Sequence, residues 1–232
     1  MVNRSFTSPA VVTPFRTVWE MYLPQAVICP EADHLALETG AHDLVVHAMG
    51  LHWANDPVGQ LIQCRRALKP DGMLLAATLG GQTLQELRSC LAQAEIALCG
   101  GLSPRIAPMG EIRDLGALLQ RAGLALPVAD SLTLTVEYRD TVHLMHDLRA
   151  MGEGNALVAR SRTISNRQLF DETSRLYIEH FATGSGRLPA TFEIVFLTGW
   201  APDESQQKPL RPGSAKQRLA DALSVPETPL PD

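Results

Sequence analysis

No glycine occurs before Gly40. A backbone that wraps a nucleoside or phosphate at the end of a first strand ordinarily uses glycine for the close approach, so the start of this chain lacks that device. No charge-free apolar run reaches the ~18–20 residues that span a bilayer as a helix. The opening Met1-Val2-Asn3-Arg4 has no apolar stretch behind its charge, unlike a secretory signal. No C-x-x-C spacing links Cys29, Cys64, Cys90 and Cys99, which predicts four reduced, buried thiols of a cytoplasmic protein and no metal site. There is no basic excess: 20 Lys and Arg stand against 25 Asp and Glu, for a net charge of −5, which argues against general nucleic-acid binding. G-x-S-x-G, H-E-x-x-H, P-loop and paired Cys–His patterns are absent, which leaves hydrolase, protease and NTPase readings without support.

What is present is enough for one full core: 232 residues, 45% hydrophobic and 19% charged. The most informative stretch is 43–88. Residues 43–49 form a short, almost wholly apolar run, as expected of a parallel strand covered on both faces. Asn55-Asp56-Pro57 ends it and opens a helix, with Asn55 or Asp56 as cap and Pro57 in the first turn. Leu61, Ile62 and Leu68 follow at helical spacing, Lys69-Pro70-Asp71-Gly72 reads as a turn, and 73–79 as a second buried strand. Strand, helix and parallel strand make one βαβ unit.

Around this unit the chain predicts strands at 10–12 and 26–29, a short helix at 16–23, and a helix or loop from 30 to 37. Only one shortened βαβ unit fits before Ala26. After 79, Gly80-Gly81-Gln82-Thr83 turns the chain, with Thr83 a candidate cap for a helix over 84–98. Further helices are expected at 109–123, 140–151 and 166–183. Strands at 127–138 and 189–200 should pair antiparallel at the sheet edge. Residues 1–202 then form an α/β domain with a helical insertion at about 140–185. Residues 203–232 are a polar, proline-rich tail, in which 214–223 has the spacing for a helical turn or two on a partner.

These residues carry a resemblance. Asp43-Leu44-Val45, then Leu51-His52-Trp53, then the Arg66-Ala67-Leu68-Lys69-Pro70-Asp71-Gly72 turn resemble the second half of a class I S-adenosylmethionine-dependent methyltransferase, with a Rossmann-like sheet and an antiparallel last strand. The run from Gly80 to Arg88 (GGQTLQELR) and the block from His143 to Ala156 (HLMHDLRAMGEGNA) are similar to a narrower branch. That branch holds the biotin-pathway malonyl-carrier methyltransferases and the methyltransferase-like assembly factors of respiratory complex I. The likeness runs from about Cys29 to Ala201. It implies methyl transfer to a small-molecule or protein acceptor. The alternative it carries is a degenerate, partner-binding or arginine-modifying assembly factor that meets a complex I subunit.

The resemblance also implies sites. The cofactor would lie near Thr13, Glu31, Ala32, His47 and Met49, with Glu31 in the position of an acid that meets the adenine amine. An acid favoured by a helix N-terminus is the other reading of Glu31. His52 and Trp53 would face the acceptor, and Arg149 and Glu153, with Asp147 and Asn155, would form a lid over it. A plain Arg149–Glu153 ion pair, Trp53 as packing and a solvated His52 are the alternatives. His143 and His146 lack a third ligand and read as a surface pair. The family's glycine-rich turn is replaced by Thr13-Pro14-Phe15-Arg16, whose proline offers no N–H. That departure fits either a truncated or misassigned start or the loss of half of the nucleotide-binding end.

Overall fold

The computed structural model describes residues 4–162 and 166–207. The chain divides into two units, Met1–Pro202 and Asp203–Asp232. The tail helix expected over 214–223 lies outside the described residues. In chain order the elements are β1 (Pro9–Val12), α1 (Arg16–Tyr22), β2 (Val27–Cys29), β3 (His42–Ala48), a 3-10 turn (Leu51–Trp53), α2 (Pro57–Ala67), β4 (Leu68–Leu79) and α3 (Gln85–Cys99). Then come α4 (Ile112–Arg121), β5 (Ala125–Tyr138), α5 (Thr141–Ala150), α6 (Arg167–Phe181) and β6 (Leu188–Trp200).

Six strands form one sheet in the order β2-β1-β3-β4-β6-β5. β2, β1, β3 and β4 run parallel, while β6 runs antiparallel to both β4 and β5. The apolar runs explain the centre: Ala10, Val11, Val12, Val45 and Leu74 are fully buried. Leu61 and Cys64 of α2 and Leu119 of α4 pack with Val12, Val45, Val195 and Leu197 as one core. α3, α5 and α6 build a second core with Tyr138, Leu188 and Ala190. At the β5 edge the expected strand forms, but it does not bury one face: Leu132, Leu134 and Val136 are exposed like the residues between them. Among the described residues no helix is long and apolar enough to cross a membrane.

Local chemistry sets the element ends. Asp56 caps α2, its carboxylate accepting from the Gly59 N–H at 2.9 Å, with Pro57 in the first turn. The turn expected at 69–72 is folded into β4 as an irregularity: His42 pairs with Leu68 but Leu44 with Met73, and Asp71 takes φ +57°. Thr83 does not cap α3. Its hydroxyl instead donates to the Glu193 carbonyl at 3.2 Å and accepts from the Glu193 N–H at 3.1 Å, binding the turn to β6. Cys29, Cys64 and Cys90 are buried as expected, and burial pushes the Cys64 thiol up to about 12; Cys99 is exposed at the last turn of α3.

Glu86 ties α3 to the sheet. It is 6% exposed and accepts from the Thr191 N–H at 3.1 Å and from the Thr191 hydroxyl. Glu86→Ala removes the acceptor and strands two buried donors, so a loss of about 2–3 kcal/mol in urea unfolding is expected. Glu86→Gln keeps an acceptor oxygen and should lose less than half of that; equal losses would mean that Glu86 only fills space.

Candidate functional site

β1 leads through α1 to β2 on one side, and β3 leads through α2 to β4 on the other. The strand order therefore reverses between β1 and β3, and the crevice outside their carboxyl ends is where open α/β sheets take ligands. Val12 and His47 are partners across this junction. A cavity of about 530 Å³ opens above it, within the range of small-molecule sites. Its walls come from residues 13–16 after β1, 30–33 after β2, Met49 and 53–55 after β3, Gln60 of α2, and 151–153 beyond α5.

Several candidate residues meet here. Thr13, Glu31, Ala32, Met49, Trp53 and Glu153 all line this cavity. Thr13 is 2% exposed, and its hydroxyl accepts from the Phe15 N–H at 3.0 Å while its own N–H donates to the Cys29 carbonyl at 3.1 Å. Met49 adopts φ +58°, a conformation that side chains with a Cβ rarely take and that gathers at functional sites. Its N–H, bonded to the Ala77 carbonyl at 2.9 Å, holds it there. A Cβ on the next residue, Gly50, would stand 1.9 Å from Glu31 Oε2, so glycine there leaves room for the Glu31 carboxylate in its present place. Gly50 is thus part of the site, and sequence reasoning missed it.

His47 corrects an expectation. It does not line the cavity but lies fully buried, with Nε2 2.6 Å from Gln60 Oε1. Gln60 in turn donates through Nε2 to the Ala32 carbonyl at 3.2 Å, so His47 braces the 30–33 wall from beneath. Desolvation lowers its basicity more than the Gln60 bond restores it, so His47 is a neutral support. Gln60, on an unremarkable helical stretch, also went unread.

The lid residues separate. Glu153 does not pair with Arg149; its carboxylate lies 3.0 and 3.2 Å from His52 Nε2. His52 is not solvated, its side chain being 4% exposed, and its Nδ1 lies 3.4 Å from Thr78 Oγ1. The hydroxyl donating to Nδ1 leaves the proton on Nε2 facing the carboxylate. This contact spans 101 positions of sequence, beyond the local spacing that offered Arg149 as the alternative partner. Trp53 stands against the His52 ring, centroids 5.4 Å apart. Arg149 lines a second cavity of about 220 Å³ that shares Trp53 and Glu153 with the first. Asn155 donates to the Pro104 carbonyl at 2.9 Å, and His143 stands edge-on to Tyr138, ring centroids 5.5 Å apart.

Charge in the large cavity favours a cation. Glu31, Asp33 and Glu153 line it against Arg16. Glu31 sits in a loop, so the helix-terminus reading does not apply. Desolvation raises its pKa most; His52 opposes that shift and the Glu153 carboxylate adds to it. A nucleoside sulfonium fits these groups: carboxylates for its amine, hydroxyls and positive charge, and apolar walls at Phe15, Ile28 and Met49. The glycine cradle is not part of the fit, because Pro14 has no N–H and the Phe15 N–H is already bonded to Thr13.

A carboxyl group raised above its ordinary range costs folded-state stability when ionised and nothing once both folded and unfolded forms are protonated. Glu31→Gln should therefore raise Tm by about 1–3 °C at pH 7. The gain should shrink as pH falls through the raised value and vanish below the ordinary carboxylate range. Scanning calorimetry at pH 7 and pH 4 checks this, and a gain confined to pH 4 would contradict it.

Comparison with known proteins adds ancestry to this geometry. Residues 11–76 match the family described as "Methyltransferase domain". "Arginine-hydroxylase NDUFAF5, mitochondrial" of Danio rerio is 34% identical over 97% of this chain and 70% of its own length. The Dictyostelium discoideum protein of that name is 40% identical over 80% of this chain, which spans 42% of it. A "Malonyl-[acyl-carrier protein] O-methyltransferase" of Laribacter hongkongensis is 34% identical over 81% of this chain and 61% of its own. The chain thus spans only part of the length of the curated relatives it matches. Among solved structures, a protein of Bacillus halodurans C-125 assigned as a methyltransferase superposes with TM-score 0.52 at 11% identity, over 86% of this chain and 93% of that one, which is a likeness of fold.

Proposed function

Because this chain belongs to the class I S-adenosylmethionine-dependent methyltransferase superfamily, in the branch that includes NDUFAF5 and the malonyl-carrier O-methyltransferases, we propose that it binds S-adenosylmethionine at the carboxyl edge of β1 and β3 and methylates an acceptor entering beside Trp53 and Glu153. One observation carries the reading: the strand-order reversal, the cavity above it and the cation-favouring carboxylates coincide at one place. The cofactor, when bound, supplies an electrophilic methyl group on a sulfonium. The work left to the protein is positioning and exclusion of water. Phe15, Ile28 and Met49 offer apolar walls to a nucleoside, and Glu31 and Asp33 offer acceptors to its polar edge. Trp53 and Met151 cover the approach. The His52 Nε2 proton is held on the Glu153 carboxylate, which keeps the 151–153 segment against the loop after β3.

A second reading has its own support. The NDUFAF5 relatives bear the name arginine-hydroxylase, and a cavity lined by three carboxylates also suits a guanidinium. On that reading the chain is a complex I assembly factor that receives an arginine side chain of its partner without methyl transfer. Calorimetric titration with S-adenosylmethionine separates the two. The methyltransferase reading expects a micromolar Kd, weakened about tenfold in Glu31→Gln by loss of a charge-assisted hydrogen bond. No heat at millimolar cofactor would contradict it and leave the partner-binding reading.

A further inference from the structure

The second cavity has a chemistry of its own. Its wall is built from Leu84 just before α3, Leu87 and Leu91 of α3, Met145 of α5, Phe170 of α6 and Phe192 of β6. These are the elements of the second core, so the space is an open hollow walled on one side by that core. Its polar lining groups are nearly all committed elsewhere. Thr83 bonds the Glu193 backbone, Arg105 the Glu95 carboxylate at 2.9 Å, and Glu153 His52. The Asn155 side chain holds the Pro104 carbonyl and the Leu157 N–H. Arg149 is the exception: among the described residues its guanidinium has neither a hydrogen bond nor an ion pair. It stands on the last turn of α5 and lines this cavity together with Trp53 and Glu153, which also line the larger one.

A hollow lined by leucine, methionine and phenylalanine, with one uncommitted guanidinium, selects a ligand with an apolar body and a single anionic end. An alcohol of the same chain length satisfies the walls but not the arginine. A short acid satisfies the arginine but not the walls. A cation is disfavoured at Arg149, so this site has the opposite preference to the acid-lined cavity next to it.

We infer that the second cavity is a binding site for the aliphatic chain of a medium-chain carboxylate, its carboxylate held by Arg149. The inference deepens the acceptor side of the proposed methyltransferase reading by naming a ligand class for it.

The test is calorimetric titration of the full chain with decanoate, decanol and acetate, first without and then with S-adenosylhomocysteine. Decanoate is expected to bind about tenfold more tightly than decanol, and acetate not to bind over the same range. Arg149→Met should bring decanoate to the level of decanol and leave decanol unchanged. Leu87→Trp should block both, and if it fails to fold, the exposed Arg149→Met still decides. Equal affinities for decanoate and decanol in the wild type, no heat from either, or an unchanged Arg149→Met would overturn the inference. Decanoate heat without S-adenosylhomocysteine heat keeps this site and removes the cofactor reading; the reverse result keeps the cofactor reading and removes this site.

Discussion

The pairing of β1 with β3 governs the rest of the molecule. Two parallel strands lie side by side, yet the chain leaves them in opposite directions, toward β2 and toward β4. No connection can then cross over their carboxyl ends, so a crevice remains there by topology rather than by any single residue. The features of the larger cavity serve that crevice. Met49 is held in a costly backbone conformation at its floor, Gly50 is small enough to let the Glu31 carboxylate pass, and Gln60 links buried His47 to the wall at Ala32. What the glycine-rich turn does elsewhere through backbone N–H groups is here left to side-chain carboxylates and apolar walls, which favour positive over negative charge.

The two cavities show how one segment can divide labour. Residues 151–155 follow α5 and bring Glu153 to His52 across the shared mouth, while Asn155 fastens the same segment to the 104 loop. On one side of Glu153 the lining carries Glu31 and Asp33 against Arg16, and on the other it is largely apolar with Arg149 and the Glu95-paired Arg105. A group held between them meets opposite fields within one opening, an arrangement that orients a polar-ended ligand by sign of charge.

Much of this was legible in the chain itself. The short apolar runs around Val11, Val45 and Leu74 gave the buried parallel strands, because strand burial writes directly into hydrophobic period. The alternation at Leu132 and Phe192 located the antiparallel pair but not its buried face, since Leu132 is exposed and Glu193, Val195 and Leu197 are among the buried residues of β6. The cap at Asp56 was readable because Asx-Pro at a helix start has one main use. The misreadings share a cause. Thr83, read as a cap for the next helix, bonds β6 instead, and the Arg149–Glu153 ion pair offered as the alternative to a lid gives way to a bond from Glu153 to a histidine far upstream, with Arg149 lining a second cavity. His47 was taken to line the site because its strand ends there, but a strand alternates faces, and His47 falls in the interior. Gly50 and Gln60 carried no pattern at all, since their roles depend on partners that only folding brings close.

The claim that the β1–β3 edge is the ligand seat can be read residue by residue by hydrogen exchange with and without S-adenosylhomocysteine. Slowed exchange is expected in the loops at 13–16, 30–33 and 49–54, with β5 unchanged. Saturating ligand that leaves those three loops exchanging as before, or that protects only segments distant from them, would contradict it.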